Sequence, residues 1–175
     1  MRQNLEPARA PASWVVMGVC GCGKSEVGRR LAAAAGLRFL EGDAYHAPEN
    51  VAKMAAGIPL NDDDRADWLR RLRDEIAAAR ARGEGVVLAC SALKRRYRDL
   101  LRSADPGLRF AHLSGTRDLI AARMGARAGH YMPLSLLDSQ LRDLEPLAAD
   151  EPGLRLDISQ SPPALAEEIL RSYGR

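Results

Sequence analysis

The stretch GVCGCGKS, Gly18 to Ser25, decides how the rest of the chain is read. Its residues Gly18, Val19, Cys20, Gly21, Cys22, Gly23, Lys24 and Ser25 satisfy G-x-x-x-x-G-K-[ST], a loop whose backbone N–H groups cradle phosphates at the start of a helix. The lysine ammonium reaches the β- and γ-phosphates, and the hydroxyl after it ligates Mg²⁺. The context fits: SWVVMG (residues 13–18) is a short apolar run ending in Gly, and KSEVGRRLAAAAG (residues 24–36) has helical composition and a Gly stop. Cys20 and Cys22 occupy variable positions. As metal ligands they supply half a tetrahedral set, and no second Cys/His pair of suitable spacing accompanies them. As redox groups they sit beside Lys24 and helix dipoles that depress a thiol pKa. As small side chains they merely stand in for Ser.

Outward from the loop, four more strands are expected at residues 37–43, 83–92, 107–115 and 153–159. Helical patterns lie at 46–56, 63–82, 92–103, 116–125, 133–144 and 162–173. Strands alternating with helices of this length imply crossover connections and hence an α/β fold, a five-stranded parallel sheet with helices on both faces. Ligands bind beyond the carboxyl ends of such strands. Residues 18–25, 41–46, 91–94 and 114–116 are therefore expected around one rim.

With 175 residues the chain is expected to form one domain, residues 14–175, behind a flexible polar tail, residues 1–13. Hydrophobic residues at 46% and charged residues at 28% exclude a disordered chain, and no apolar run reaches the roughly 20 residues of a membrane span. The tail lacks the apolar core of a signal peptide, and three cysteines suit a reducing compartment, so a cytoplasmic protein is expected. The net charge of +3 comes from basic residues scattered along the chain, which argues against nucleic acid or a membrane surface as partner. Of 26 basic residues only Lys24, Lys53 and Lys94 are lysine.

No strand is followed by a D-x-x-G switch, and no N-K-x-D for guanine occurs. The second strand instead ends in E-G-D-A-Y-H, setting Glu41, Asp43 and His46 opposite the loop. An acid there holds Mg²⁺-bound water or accepts a proton from an attacking hydroxyl, the layout of a small-metabolite kinase.

From Val15 to Ile169 the chain resembles the thermoresistant type of gluconate kinase, a branch of the P-loop small-molecule kinases that also includes shikimate kinase. The marks are GVCGCGKS, FLEGDAYH, NVAKMAAGIPLNDDDRADWL, CSALKRRYRDLLR, GHYM (residues 129–132) and LLDSQLRDLEPL. Such kinases usually carry Ser where this chain has Cys20 and Cys22, and Phe where it has Tyr131. The resemblance implies a P-loop fold like that of shikimate and nucleoside-monophosphate kinases, with a lid near residues 124–133. It implies transfer of the ATP γ-phosphoryl group to the 6-hydroxyl of D-gluconate, with Mg²⁺, by a homodimer. The alternatives are a kinase for another small polyol acid such as shikimate, and a nucleotide-binding regulatory module without catalysis.

Within that resemblance Asp43 is the candidate general base, or else a helix N-cap. Glu41 joins Ser25 at the metal, and His46 contacts substrate hydroxyls. Arg65 of DDDR grips the substrate carboxylate, while helix dipole and capping account for at least two of Asp62, Asp63 and Asp64. Lys94 begins a helix, where a cation is disfavoured unless an anion answers it; otherwise it snorkels at the surface. Arg123, just before the lid, and Arg127, within it, reach the phosphates, Arg127 at the transferring group. Gln140 and Arg142 face the sugar-acid pocket. Lys53 reads as surface, and Trp14 and Trp68 as packing.

Overall fold

The structure is a computed structural model and describes residues 11–126 and 133–172. Its strands are β1 (Trp14–Met17), β2 (Arg38–Glu41), β3 (Val86–Ala89), β4 (Arg109–Ser114) and β5 (Gly153–Asp157). All pair in parallel, in the order β2-β3-β1-β4-β5. The central strands WVVM and VVLA are buried at every position, as strands covered on both faces must be. Each expected strand is present.

The helices are α1 (Lys24–Ala35), α2 (Pro48–Ala55), α3 (Asp62–Ala81), α4 (Arg95–Arg102), α5 (Arg117–Ala126), α6 (Leu134–Asp143) and α7 (Pro162–Ser172). They flank the sheet, α1 packing on α7 and α3 on α4. Helix α3 starts with a capping box: the Asn61 side chain accepts the Asp64 N–H while the Asp64 carboxylate accepts the Asn61 N–H. That accounts for Asp64. Its carboxylate also takes Lys53 at 2.8 Å and its carbonyl takes the Asn50 amide at 2.7 Å. Lys53, expected as mere surface, thus fastens α2 to α3.

The chain leaves β1 toward β3 and β2 and later crosses to β4 and β5, so the end of β1 is where the winding reverses. In open parallel sheets this is where a ligand crevice forms. The loop Gly18 to Ser25 stands there.

Beside the crevice, Arg98 and Glu151 form a fully buried pair, Nε to Oε1 2.8 Å and Nη2 to Oε2 3.0 Å. Arg98 also donates to the carbonyls of Ala92 and Leu93, and Arg102 and the Ala148 N–H complete Glu151. Removing one partner of such a pair costs about 3–5 kcal/mol, because a bare charge is left behind. The network pins the turn after β3, where Ala92 has φ +45°.

Candidate active site

Helix α1 begins at Gly23, φ +93°, with no side chain capping its first turn. Its leading N–H groups therefore meet the crevice uncapped, the arrangement that receives an anion. Gly21 is required by close approach: a Cβ there would stand 2.5 Å from Met124 Cγ. Lys24 Nζ donates to the Val19 carbonyl at 2.9 Å, across the loop. Burial disfavours its ammonium, but the acidic groups around it, Cys22 first and then Asp43, outweigh this and hold the pKa above the usual lysine value.

A cleft of about 530 Å³ opens over the loop. Cys20, Gly21, Gly23, Lys24 and Ser25 line one side; Glu41, Asp43, His46, Arg65 and Ser91 come from the β2, α3 and β3 ends. Three of the four expected segments converge here. The fourth does not: Ser114 accepts from Arg155, and Thr116 caps the start of α5 through the Leu119 N–H. The end of β4 is committed to β5 and α5 on the far side of β1. The cleft is completed by Val51, Met54, Pro59 and Leu60 with Trp68, by Met124 of α5 and by Leu136, Ser139 and Gln140 of α6.

The Ser25 hydroxyl donates to Glu41 Oε2 at 2.5 Å, and Arg29 stands 3.7 Å from the same oxygen. The two residues assigned to a metal are thus side by side. Asp43 lies on a short 3₁₀ turn, Gly42–Tyr45, whose N-cap is Glu41 without a side-chain cap bond. Its carboxylate is 79% exposed, so it is not spent on capping. Gly42 lets this turn press onto β3, since a Cβ there would be 2.3 Å from the Ala89 carbonyl oxygen.

His46 Nε2 is 3.8 Å from Asp43 Oδ1, and its ring lies flat on Trp68, centroids 4.1 Å apart. Burial lowers the His46 pKa, so the imidazole is neutral at pH 7. Its buried Nδ1 has no partner among the described residues. Trp68 donates to the Gly42 carbonyl at 2.7 Å. Trp68, expected as packing, also orients His46 and the Asp43 turn. Its position one helical turn after Arg65 was the available signal.

Arg65 is buried, with Nη1 3.1 Å from the Tyr97 hydroxyl and 3.5 Å from Asp143 Oδ2. Tyr97 in turn donates to Asp62. Lys94 does not reach the main cleft. It takes Asp62 at 3.2 Å and lines an adjoining pocket of about 330 Å³ with Arg65, Arg142 and Asp143. The anion that answers a lysine at a helix start is, in this structure, Asp62.

Gln140 lies over the loop, its Oε1 accepting the Cys20 N–H at 2.7 Å. Arg123 turns away from the cleft and donates to the Ile158 carbonyl, beside the β5–α7 connection. Arg127 lies outside the described residues, as do His130 and Tyr131. Cys20, Cys22 and Cys90 are free thiols. The expectation of an acidified thiol is corrected at Cys20, where burial outweighs the Lys24 charge and raises the pKa. Cys90 is pushed up to about 12 by burial.

Residues 14–147 match the AAA domain family. A gluconokinase of Gluconobacter oxydans is 45% identical over 163 residues, covering 93% of this chain and 92% of that protein. The thermoresistant gluconokinase of Escherichia coli is 44% identical, covering 84% and 85%. The crystal structure of a gluconokinase from Sinorhizobium meliloti superposes with a TM-score of 0.87 at 47% identity, covering 95% of this chain and 94% of that one.

Proposed function

The chain belongs to the gluconokinase family, and from that premise we propose that it transfers the γ-phosphoryl group of ATP to the 6-hydroxyl of D-gluconate, giving 6-phospho-D-gluconate and ADP. The observation that carries this reading is that Lys24 and Ser25 share one cleft with Glu41, Asp43, His46 and Arg65. Nucleotide machinery and acceptor machinery are in reach of each other.

Phosphoryl transfer asks the protein for positioning and charge rather than covalent chemistry. The loop amides from Gly21 to Ser25 hold the phosphates. Lys24 offsets charge at the β- and γ-oxygens, a role its raised pKa suits. Arg65 holds the carboxylate end of gluconate, and the His46 ring borders the acceptor beside Asp43. Asp43 takes the proton of the 6-hydroxyl as that oxygen attacks the γ-phosphorus, and the bond from phosphorus to the ADP oxygen breaks on the opposite side. Arg127, on the resemblance, steadies the transferring group.

The donors beside the loop are hard oxygens, Ser25 Oγ and the Glu41 carboxylate, which fits Mg²⁺, an ion that keeps several waters and takes few protein ligands. Ser25 would hold it directly and Glu41 through water. Bound with ATP, it supplies neutralisation of phosphate charge.

No helix among the described residues is long and apolar enough to cross a membrane. A cytoplasmic homodimer belongs to the same proposal. The experiment is product identification: ³¹P NMR after incubation with ATP, Mg²⁺ and gluconate should show a phosphomonoester on C6. A phosphate elsewhere on the sugar acid, or none, overturns the reading.

A further inference from the structure

We propose that Gln140 is a positioning residue for the phosphate loop rather than a contact to the sugar acid. Its Oε1 is 2.7 Å from the Cys20 nitrogen, so the carboxamide is engaged with a backbone donor of the loop itself. A loop this rich in glycine has several accessible backbone shapes, and its affinity for phosphate depends on how few it samples. The crest, Val19 to Cys22, belongs to neither β1 nor α1. It is held instead from the two helices on either side of residues 127–132. Met124 of α5 lies against Gly21 and 4.0 Å from Cys20 Sγ, and Gln140 of α6 takes the Cys20 N–H.

The Gln140 contact is the directional one. It fixes the orientation of the peptide unit between Val19 and Cys20, whose carbonyl is the one that accepts Lys24 Nζ. One hydrogen bond from α6 therefore sets both the crest and the lysine. Ser139, the residue before it, faces both pockets, so α6 borders the acceptor side while Gln140 serves the nucleotide side. The inference rests on the loop binding nucleotide phosphates and holds whatever the acceptor is.

The test is made without acceptor. ADP titrated calorimetrically into the whole protein should bind Gln140→Met about three- to tenfold more weakly than wild type, the effect of one net hydrogen bond. Met keeps the length and apolar packing of the side chain and removes its acceptor. The gluconate KM at saturating ATP should stay within twofold. Unchanged ADP binding overturns the proposal, and so does a raised gluconate KM with ADP binding intact, which would make Gln140 a substrate contact. Amide exchange of the wild-type protein gives a second readout that needs no variant to fold: the Cys20 N–H should be protected, and free exchange overturns the proposal. Absence of gluconate turnover with normal ADP binding would count against the function proposed above and leave this inference standing.

Discussion

Ser25 Oγ donates to Glu41 Oε2 at 2.5 Å, joining the last residue of the phosphate loop to the end of β2. Two segments 16 residues apart thereby set one oxygen pair at the cleft. Glu41→Gln keeps the shape and weakens the acceptor. It should raise the Mg²⁺ concentration for half-maximal rate about tenfold or more, read from a magnesium titration at fixed ATP. An unchanged titration would leave Glu41 as a structural partner of Ser25 and Arg29 alone.

Asp43 stands on its 3₁₀ turn with an exposed carboxylate. Asp43→Asn should lower kcat by about 10²–10⁴ while ADP affinity changes little. A kcat within twofold of wild type removes Asp43 as the base.

Arg65 is held by Tyr97 and Asp143 at the junction of both pockets. Arg65→Lys keeps the charge and loses the planar fork, so the gluconate KM should rise about tenfold or more with the ATP KM unaltered. An effect confined to ATP would move Arg65 to the nucleotide site.

His112 and Glu151 predict how stability follows pH. Burial, with Arg155 and Arg98 nearby, lowers the buried His112 to about 4, against an ordinary value near 6.5. Between those values the unfolded chain binds more protons, so stability is complete above pH 6.5 and falls as pH drops toward 4. His46 is shifted in the same direction and adds to that loss. For Glu151, burial opposes ionisation but Arg98, the Ala148 N–H and Arg102 prevail, holding it at about 2; its contribution is lost only below about pH 4.5. Melting temperatures should therefore decline in two stages, and His112→Leu should shrink the first alone, leaving the share that His46 contributes. A flat profile from pH 7 to 4 in wild type contradicts this.

Much of this was legible because it is local. WVVM and VVLA are continuous apolar runs, Gly36 closes α1 in the left-handed conformation, and the loop pattern names its own ligand chemistry. All five strands were found, and Lys24, Ser25, Glu41, Asp43, His46 and Arg65 do meet. What escaped depends on long-range geometry. Cys20 lies beside Lys24, yet burial by the rest of the fold decides its pKa. Lys94 finds Asp62, 32 residues away, and Gln140 finds Cys20, 120 residues away. No periodicity records such meetings. Trp68 was half-read, its burial expected and its stack on His46 invisible until α3 was set against the turn after β2.

The most direct test of the central claim is the rate of ADP release in a coupled assay with ATP and Mg²⁺, comparing gluconate with shikimate and other sugar acids. Turnover should depend on gluconate, with the highest kcat/KM for it, and should collapse in Lys24→Met. ADP release indifferent to gluconate, or faster with shikimate, would contradict it.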